Sequence, residues 1–188
     1  MKLFIGLGNP GRSYSKNRHN VGLNCAKYFA RMQGIVINRK SGMARIGSKE
    51  INGHEILIAI LKTFMNQSGM VVKRLVEQYS IRLADLIIIH DDLDLPLGKI
   101  RFSLGSGPGG HRGVASIINE LTSREFVRIR IGIGRPNNIA HDADIIKYVL
   151  SNFTTKEIKI INDTIDQVNT SIQYLLTSGL AAAMNTYN

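Results

Sequence analysis

The chain has 188 residues, 44% of them hydrophobic and 20% charged, with 18 Gly, 4 Pro and one Cys, a balance ordinary for a globular protein that speaks against disorder and excludes internal disulfides. Its length suits one domain over 1–188. The formal net charge is +10, and ten Lys or Arg with no Asp or Glu lie between Met1 and Lys49, while the remainder carries fourteen of each sign. Such a field attracts polyanions and makes nucleic acid the leading partner class, although a basic surface can also serve solubility alone. The run Leu3-Phe4-Ile5 is cut short by Gly6, and no apolar stretch approaches the roughly 20 residues that cross a bilayer. No membrane association or signal peptide is therefore expected. A lone Cys25 forms no internal disulfide, which fits a cytoplasmic location.

In chain order, residues 2–7 read as a buried strand and 20–33 as an amphipathic helix, separated by a long loop. Strands follow at 35–38, 43–49 and 55–61, the last two joined through Asn52-Gly53, a hairpin-turn dipeptide. A helix is predicted over 67–79. The apolar run Leu86–Ile89 reads as a strand covered on both faces, with further strands at 99–104 and 126–133. A glycine-rich loop and a helix over 111–121 lie between those two. The C-terminal third reads as helices at 142–150, 155–177 and 179–184, broken at Ser178-Gly179. Strands alternating with helices predict an α/β fold, a three-layer αβα domain with a mixed, partly parallel sheet, with its site in loops beyond the strand C-termini.

GLGNPG at 6–11 matches the dinucleotide pattern G-x-G-x-x-G, but that fingerprint needs a helix starting within the glycines and an acidic residue about 20 positions on. The first acidic residue here is Glu50. No phosphate-cradling P-loop and no G-x-S-x-G nucleophile elbow is present. The polar residues at predicted strand ends are Asn9, His19, Asn66 and Asp91. An imidazole, with an unperturbed pKa of about 6.5, suits proton removal near neutrality, and a carboxylate such as Asp91 would orient it. A surface or capping role is the plainer alternative for His19. Asn66, in Thr63-Phe64-Met65-Asn66, could hold an oxyanion or cap the following helix. His90-Asp91-Asp92-Leu93-Asp94 could share a divalent cation, although no fixed ligand spacing supports it. Gly105–Gly113 leads into a helix, so backbone N–H groups and Arg112 could receive an anion, or the stretch could be a flexible turn.

Taken together, GLGNPGRSYSKNRHNVG, KTFMNQSG, IIHDDLDLPLGKIR, GGHRG and IRIGIGRP resemble the bacterial peptidyl-tRNA hydrolase family, in the family's order and over about residues 3–136. The resemblance implies a monomeric α/β hydrolase that needs no metal, cofactor or obligate protein partner and frees tRNA from peptides shed by stalled ribosomes. It implies His19 as general base, Asp91 as its orienting carboxylate, and Asn9 and Asn66 as positioning residues, Asn66 for the oxyanion. Tyr14, Asn20 and Met65 match cleft positions, with Phe64 beside them, and Arg130 matches a tRNA-phosphate contact. Asp94 matches a structural or gating position. Two departures stand out: Arg112 occupies a position where many relatives have Asn, and Ser103 one where a phosphate-binding Lys often occurs. An RNA-binding module without hydrolysis is the rival reading, since relatives of this fold assist RNA splicing.

Overall fold

The strand Lys2–Gly6 (β1) is apolar at every interior position, which suits a strand covered on both faces, and it lies inside a seven-stranded sheet. The computed structural model describes residues 1–136 and 141–188. The remaining strands are Arg39–Ser41 (β2), Ala44–Ile51 (β3), His54–Leu61 (β4), Leu86–Asp92 (β5), Ile100–Leu104 (β6) and Val127–Gly132 (β7). Their order is β2-β3-β4-β1-β5-β7-β6, parallel in the central four and antiparallel at both margins. The helices are Val21–Met32 (α1), Ser68–Gln78 (α2), Arg112–Leu121 (α3), Asp142–Val149 (α4) and Thr155–Tyr187 (α5).

Strand alternation divides the core in two. Phe4, Ile58, Ile87 and Ile129 pack against Phe29 of α1 and Val168 and Ile172 of α5. Leu3, Ile5, Leu57 and Ile88 pack against Val72 of α2 and Val114 and Ile117 of α3. The result is the three-layer αβα arrangement with a mixed sheet that the strand and helix pattern predicts. Asn52 and Gly53 both take positive φ, as the predicted hairpin turn requires. Gly179 breaks α5 where the sequence predicts a helix end.

One predicted strand is displaced. Ile35-Val36-Ile37-Asn38 has strand-like composition, but the paired segment is Arg39–Ser41, which meets Ala44–Ile46 across a tight turn. Ile35 instead fills the core beside α1, while Val36 is exposed, so burial of one residue outweighs β-propensity along this connection.

The glycines of the first loop serve close packing rather than phosphate binding. A Cβ on Gly6 would meet the Gly22 carbonyl oxygen at 2.2 Å, and one on Gly22 would meet the Ile89 carbonyl oxygen at 2.2 Å. The start of α1 is thus pressed onto β1 and β5, next to His19 and Asp91. Gly22→Ala is expected to push α1 off the sheet, costing about 1–3 kcal/mol as other overpacking substitutions do, and to lower activity as well. Chemical denaturation and turnover measured on the same preparation check both effects.

Candidate active site

Loops following the C-terminal ends of β1, β4 and β5 converge with the entry to α3 and with α4 around a cleft of about 320 Å³. Asn9, Tyr14 and His19 come from the first loop, Phe64, Met65 and Asn66 from the second, and Asp91 from the end of β5. His111 and Arg112 reach it from the start of α3, and Ile145, Ile146, Val149 and Leu150 of the α4 region supply an apolar wall.

At the base of the cleft His19 Nδ1 lies 2.9 Å from both oxygens of Asp91. His111 Nε2 lies 3.0 Å from Asp91 Oδ1, so one buried carboxylate serves two imidazoles. The His111 tautomer follows from its other nitrogen, which accepts the Gly113 and Val114 N–H groups at 3.1 and 3.2 Å and caps α3. An Nδ1 that accepts leaves Nε2–H to donate to Asp91. His19 likewise donates through Nδ1–H, leaving Nε2 as the ring nitrogen available to the cleft. Burial by itself would raise the Asp91 pKa, but the His19 and His111 charges and hydrogen bonds hold it well below the usual carboxylate range. His90 packs against His111 with ring centroids 4.8 Å apart and donates through Nδ1–H to the Asp91 carbonyl at 2.7 Å. Burial, then the His111 charge, pushes its pKa down, which keeps it neutral.

The carboxamides are placed by backbone groups. Asn9 Oδ1 accepts the Met65 N–H at 2.9 Å, which ties the first loop to the second and turns Asn9 Nδ2 into the free donor end. Asn20 clamps the Asn9 backbone, its Oδ1 accepting the Asn9 N–H at 2.8 Å and its Nδ2 donating to the Asn9 carbonyl at 3.0 Å. Asn20 is 1% exposed and lies behind the cleft rather than on its wall, contrary to its expected place in the lining. Asn66 sits exposed in the short turn Met65–Gln67 and makes no cap for α2, which removes the plainer reading of that residue. Tyr14 and Phe64 meet edge to face at 6.3 Å between ring centroids across the cleft mouth.

Arg112 is exposed at the cleft rim. Arg130 stands outside the lining, its Nε 2.6 Å from Asp92 Oδ2. Asp94 pairs with Arg135, and Ser103 is buried with no hydrogen-bond partner for its hydroxyl among the described residues. The loop that carries His19 is tied to the far end of the chain through Arg18, which is 5% exposed and makes two hydrogen bonds to Glu157 of α5 at 2.8 and 2.9 Å. Its guanidinium also lies over the rings of Tyr148 and Phe153, at 4.4 and 4.8 Å. This hub fixes α4 against the cleft, and no local pattern in the sequence announces it.

His19, Asp91 and His111 have ligand atoms within 4.8 Å of one another, a spacing compatible with a metal ion. For His111 to ligate through Nε2, however, the proton would have to move to Nδ1, which already accepts two backbone N–H groups. The hydrogen-bonded arrangement suits proton transfer better than coordination.

A carboxylate-held imidazole beside carboxamides, in a cleft whose described lining contains no serine, cysteine or threonine, is the kind of proton-transfer site that hydrolases use. The family model for peptidyl-tRNA hydrolase matches residues 3–188. Peptidyl-tRNA hydrolases of Dehalococcoides mccartyi and Bacillus thuringiensis are 46% and 37% identical to the chain, each over the full length of both proteins. The crystal structure of peptidyl-tRNA hydrolase from Acinetobacter baumannii superposes with a TM-score of 0.93 at 32% identity, covering 100% of this chain and 94% of that one. The chain belongs to the peptidyl-tRNA hydrolase family.

Proposed function

We propose that the chain hydrolyses the ester joining a peptide, or an N-blocked aminoacyl group, to tRNA in the cytoplasm, acting as a monomer and without a metal. The observation that carries the reading is the His19 Nδ1–Asp91 pair at the base of an open cleft, which leaves Nε2 to act on water. His19 removes a proton from water, Asp91 stabilises the imidazolium that forms, and His111 holds the second side of the Asp91 carboxylate. Water attacks the ester carbonyl, and Asn66 donates to the oxyanion of the tetrahedral intermediate. Asn9 Nδ2, fixed by the Met65 N–H, orients the water or the peptide carbonyl. Collapse of the intermediate expels the ribose oxygen, which takes the proton back from His19. No covalent bond to the protein forms.

Tyr14, Phe64 and Met65 face the substrate, Arg112 meets RNA phosphate at the rim, and the apolar wall of α4 accepts the peptide. Asn20 supports the substrate through Asn9. Arg130 reaches RNA only by sharing its charge with Asp92.

Asn66→Ala is expected to lower kcat by about 10²–10³, the usual cost of removing one oxyanion donor, with little change in KM. Cleavage of N-acetyl-aminoacyl-tRNA with EDTA present is expected to proceed at the full rate. Activity that disappears with EDTA and returns with a divalent ion would overturn the metal-free mechanism, and an unchanged kcat in Asn66→Ala would remove that residue's role.

A further inference from the structure

Three of the ten cations between Met1 and Lys49, namely Lys27, Lys40 and Arg45, lie in a row with Lys62. Lys40 and Arg45 are directly paired across β2 and β3, and Arg45 is in turn opposite Ile60 of β4, so these side chains share the sheet face that α1 covers. Lys62, two residues beyond Ile60, continues the same face. The Lys27 ammonium on α1 is pushed below its ordinary pKa by burial and then by the charge of Lys62, so the helix and the strand end bring two like charges together. All four residues are exposed overall, the Lys27 ammonium being partly desolvated, and none takes part in an ion pair among the described residues. Arg31, one turn further along α1, is different because Asp166 lies beside it at Tyr28.

The row begins at the cleft. Lys62 is two residues before Phe64, which lines the cleft mouth with Tyr14. Arg12 and Lys16 flank Tyr14 in the first loop, whose Ser15 carbonyl accepts from Asn24 one turn before Lys27. The acidic residues of the same hairpin strands, Glu50 and Glu55, pair at the opposite end of β3 and β4, about 16 Å from Arg45 at the usual rise per residue. Placing like charges side by side without counter-carboxylates is unfavourable for the free protein, and a polyanion relieves it.

We infer that Lys27, Lys62, Arg45 and Lys40 form a phosphate track that carries the body of the bound RNA away from the cleft over the β2–β3 edge, separate from the Arg112 and Arg130 side. The inference rests on the proposed tRNA substrate and adds a direction to it. Neutralised phosphates release counterions, so each contact contributes about 0.7–0.9 to the log–log salt slope of binding.

The test compares the parent with the triple variant K40E/R45E/K62E on two substrates, full-length N-acetyl-aminoacyl-tRNA and the N-acetyl-aminoacyl ester of the CCA trinucleotide. For the full-length substrate, KM is expected to rise at least about tenfold and the salt slope to become shallower by about 2–3, with kcat retained. The trinucleotide, too short to reach the row, is expected to be cleaved with the parental salt dependence. Parental KM and salt slope on full-length tRNA would overturn the track, as would an equal loss on both substrates, which signals damage to the cleft. If circular dichroism shows the variant unfolded, K40Q/R45Q/K62Q is measured instead, with a slope change of the same sign required. A parent that cleaves neither substrate would defeat the hydrolysis reading alone, and the track would then be decided by the salt slope of deacylated tRNA binding.

Discussion

Asp91→Asn is expected to lower kcat by about 10²–10⁴ while tRNA binding and the fold survive. The amide keeps the volume of the carboxylate but changes its hydrogen-bonding character. Asp91 accepts from His19 Nδ1–H and from His111 Nε2–H, and an amide accepts with one end and donates with the other. His111 cannot change tautomer cheaply, because its Nδ1 accepts the N–H groups of Gly113 and Val114. The NH₂ end of the substituted side chain therefore turns toward His19 and favours the tautomer with Nδ1 unprotonated, which places the proton on Nε2, where the base is needed empty. Loss of the negative charge also removes the stabilisation of the imidazolium formed during water attack. Single-turnover cleavage and filter binding on the same variant separate chemistry from binding, and a kcat within a factor of about three of the parent would contradict the role of the carboxylate.

His19→Ala removes the base itself. General-base assistance is worth about 10²–10⁴ in rate, or roughly 2.7–5.5 kcal/mol of barrier, and most of kcat is expected to disappear. What remains comes from the carboxamide donors and from positioning of the ester. The substitution also leaves Asp91 with one partner instead of two, yet His111 still satisfies its Oδ1, so the fold is expected to hold. KM is expected to stay within a few-fold of the parent, because the cleft walls and the basic surface are untouched. A thermal unfolding scan accompanies the assay so that lost activity is not mistaken for lost structure.

The layer architecture was legible because it depends on local signals. Unbroken apolar runs marked strands covered on both faces, Asn52-Gly53 marked the hairpin, and Gly179 marked the break in the last helix. Residues 35–38 misled because β-branched composition cannot distinguish a paired strand from a connection that sinks one side chain into the core. Asn9, His19, Asn66 and Asp91 were legible as polar residues at the ends of apolar runs, and the fold brings them to one cleft. The roles that the family resemblance assigns to them belong to the proposed mechanism. His111 escaped notice because it reads as part of a glycine-rich turn, and only the geometry joins it to Asp91 across 20 positions of sequence. Its signal was its place immediately before a helix, where a side-chain acceptor is favoured. The Arg18–Glu157 hub joins residues 139 positions apart, and the α4 wall meets loops far from it in sequence, which no local periodicity encodes. The family resemblance placed Asn20 among the cleft residues, whereas its two hydrogen bonds to the Asn9 backbone direct it inward.

The most direct test is to follow ester cleavage of N-acetyl-aminoacyl-tRNA, with EDTA present, by the parent and by His19→Ala side by side, with tRNA binding measured for both. The expected result is rapid release of the N-acetyl amino acid by the parent and binding without appreciable cleavage by the variant. Cleavage by the variant at the parental rate would contradict His19 as the base, and binding without cleavage by either protein would leave an RNA-binding module in place of the hydrolase.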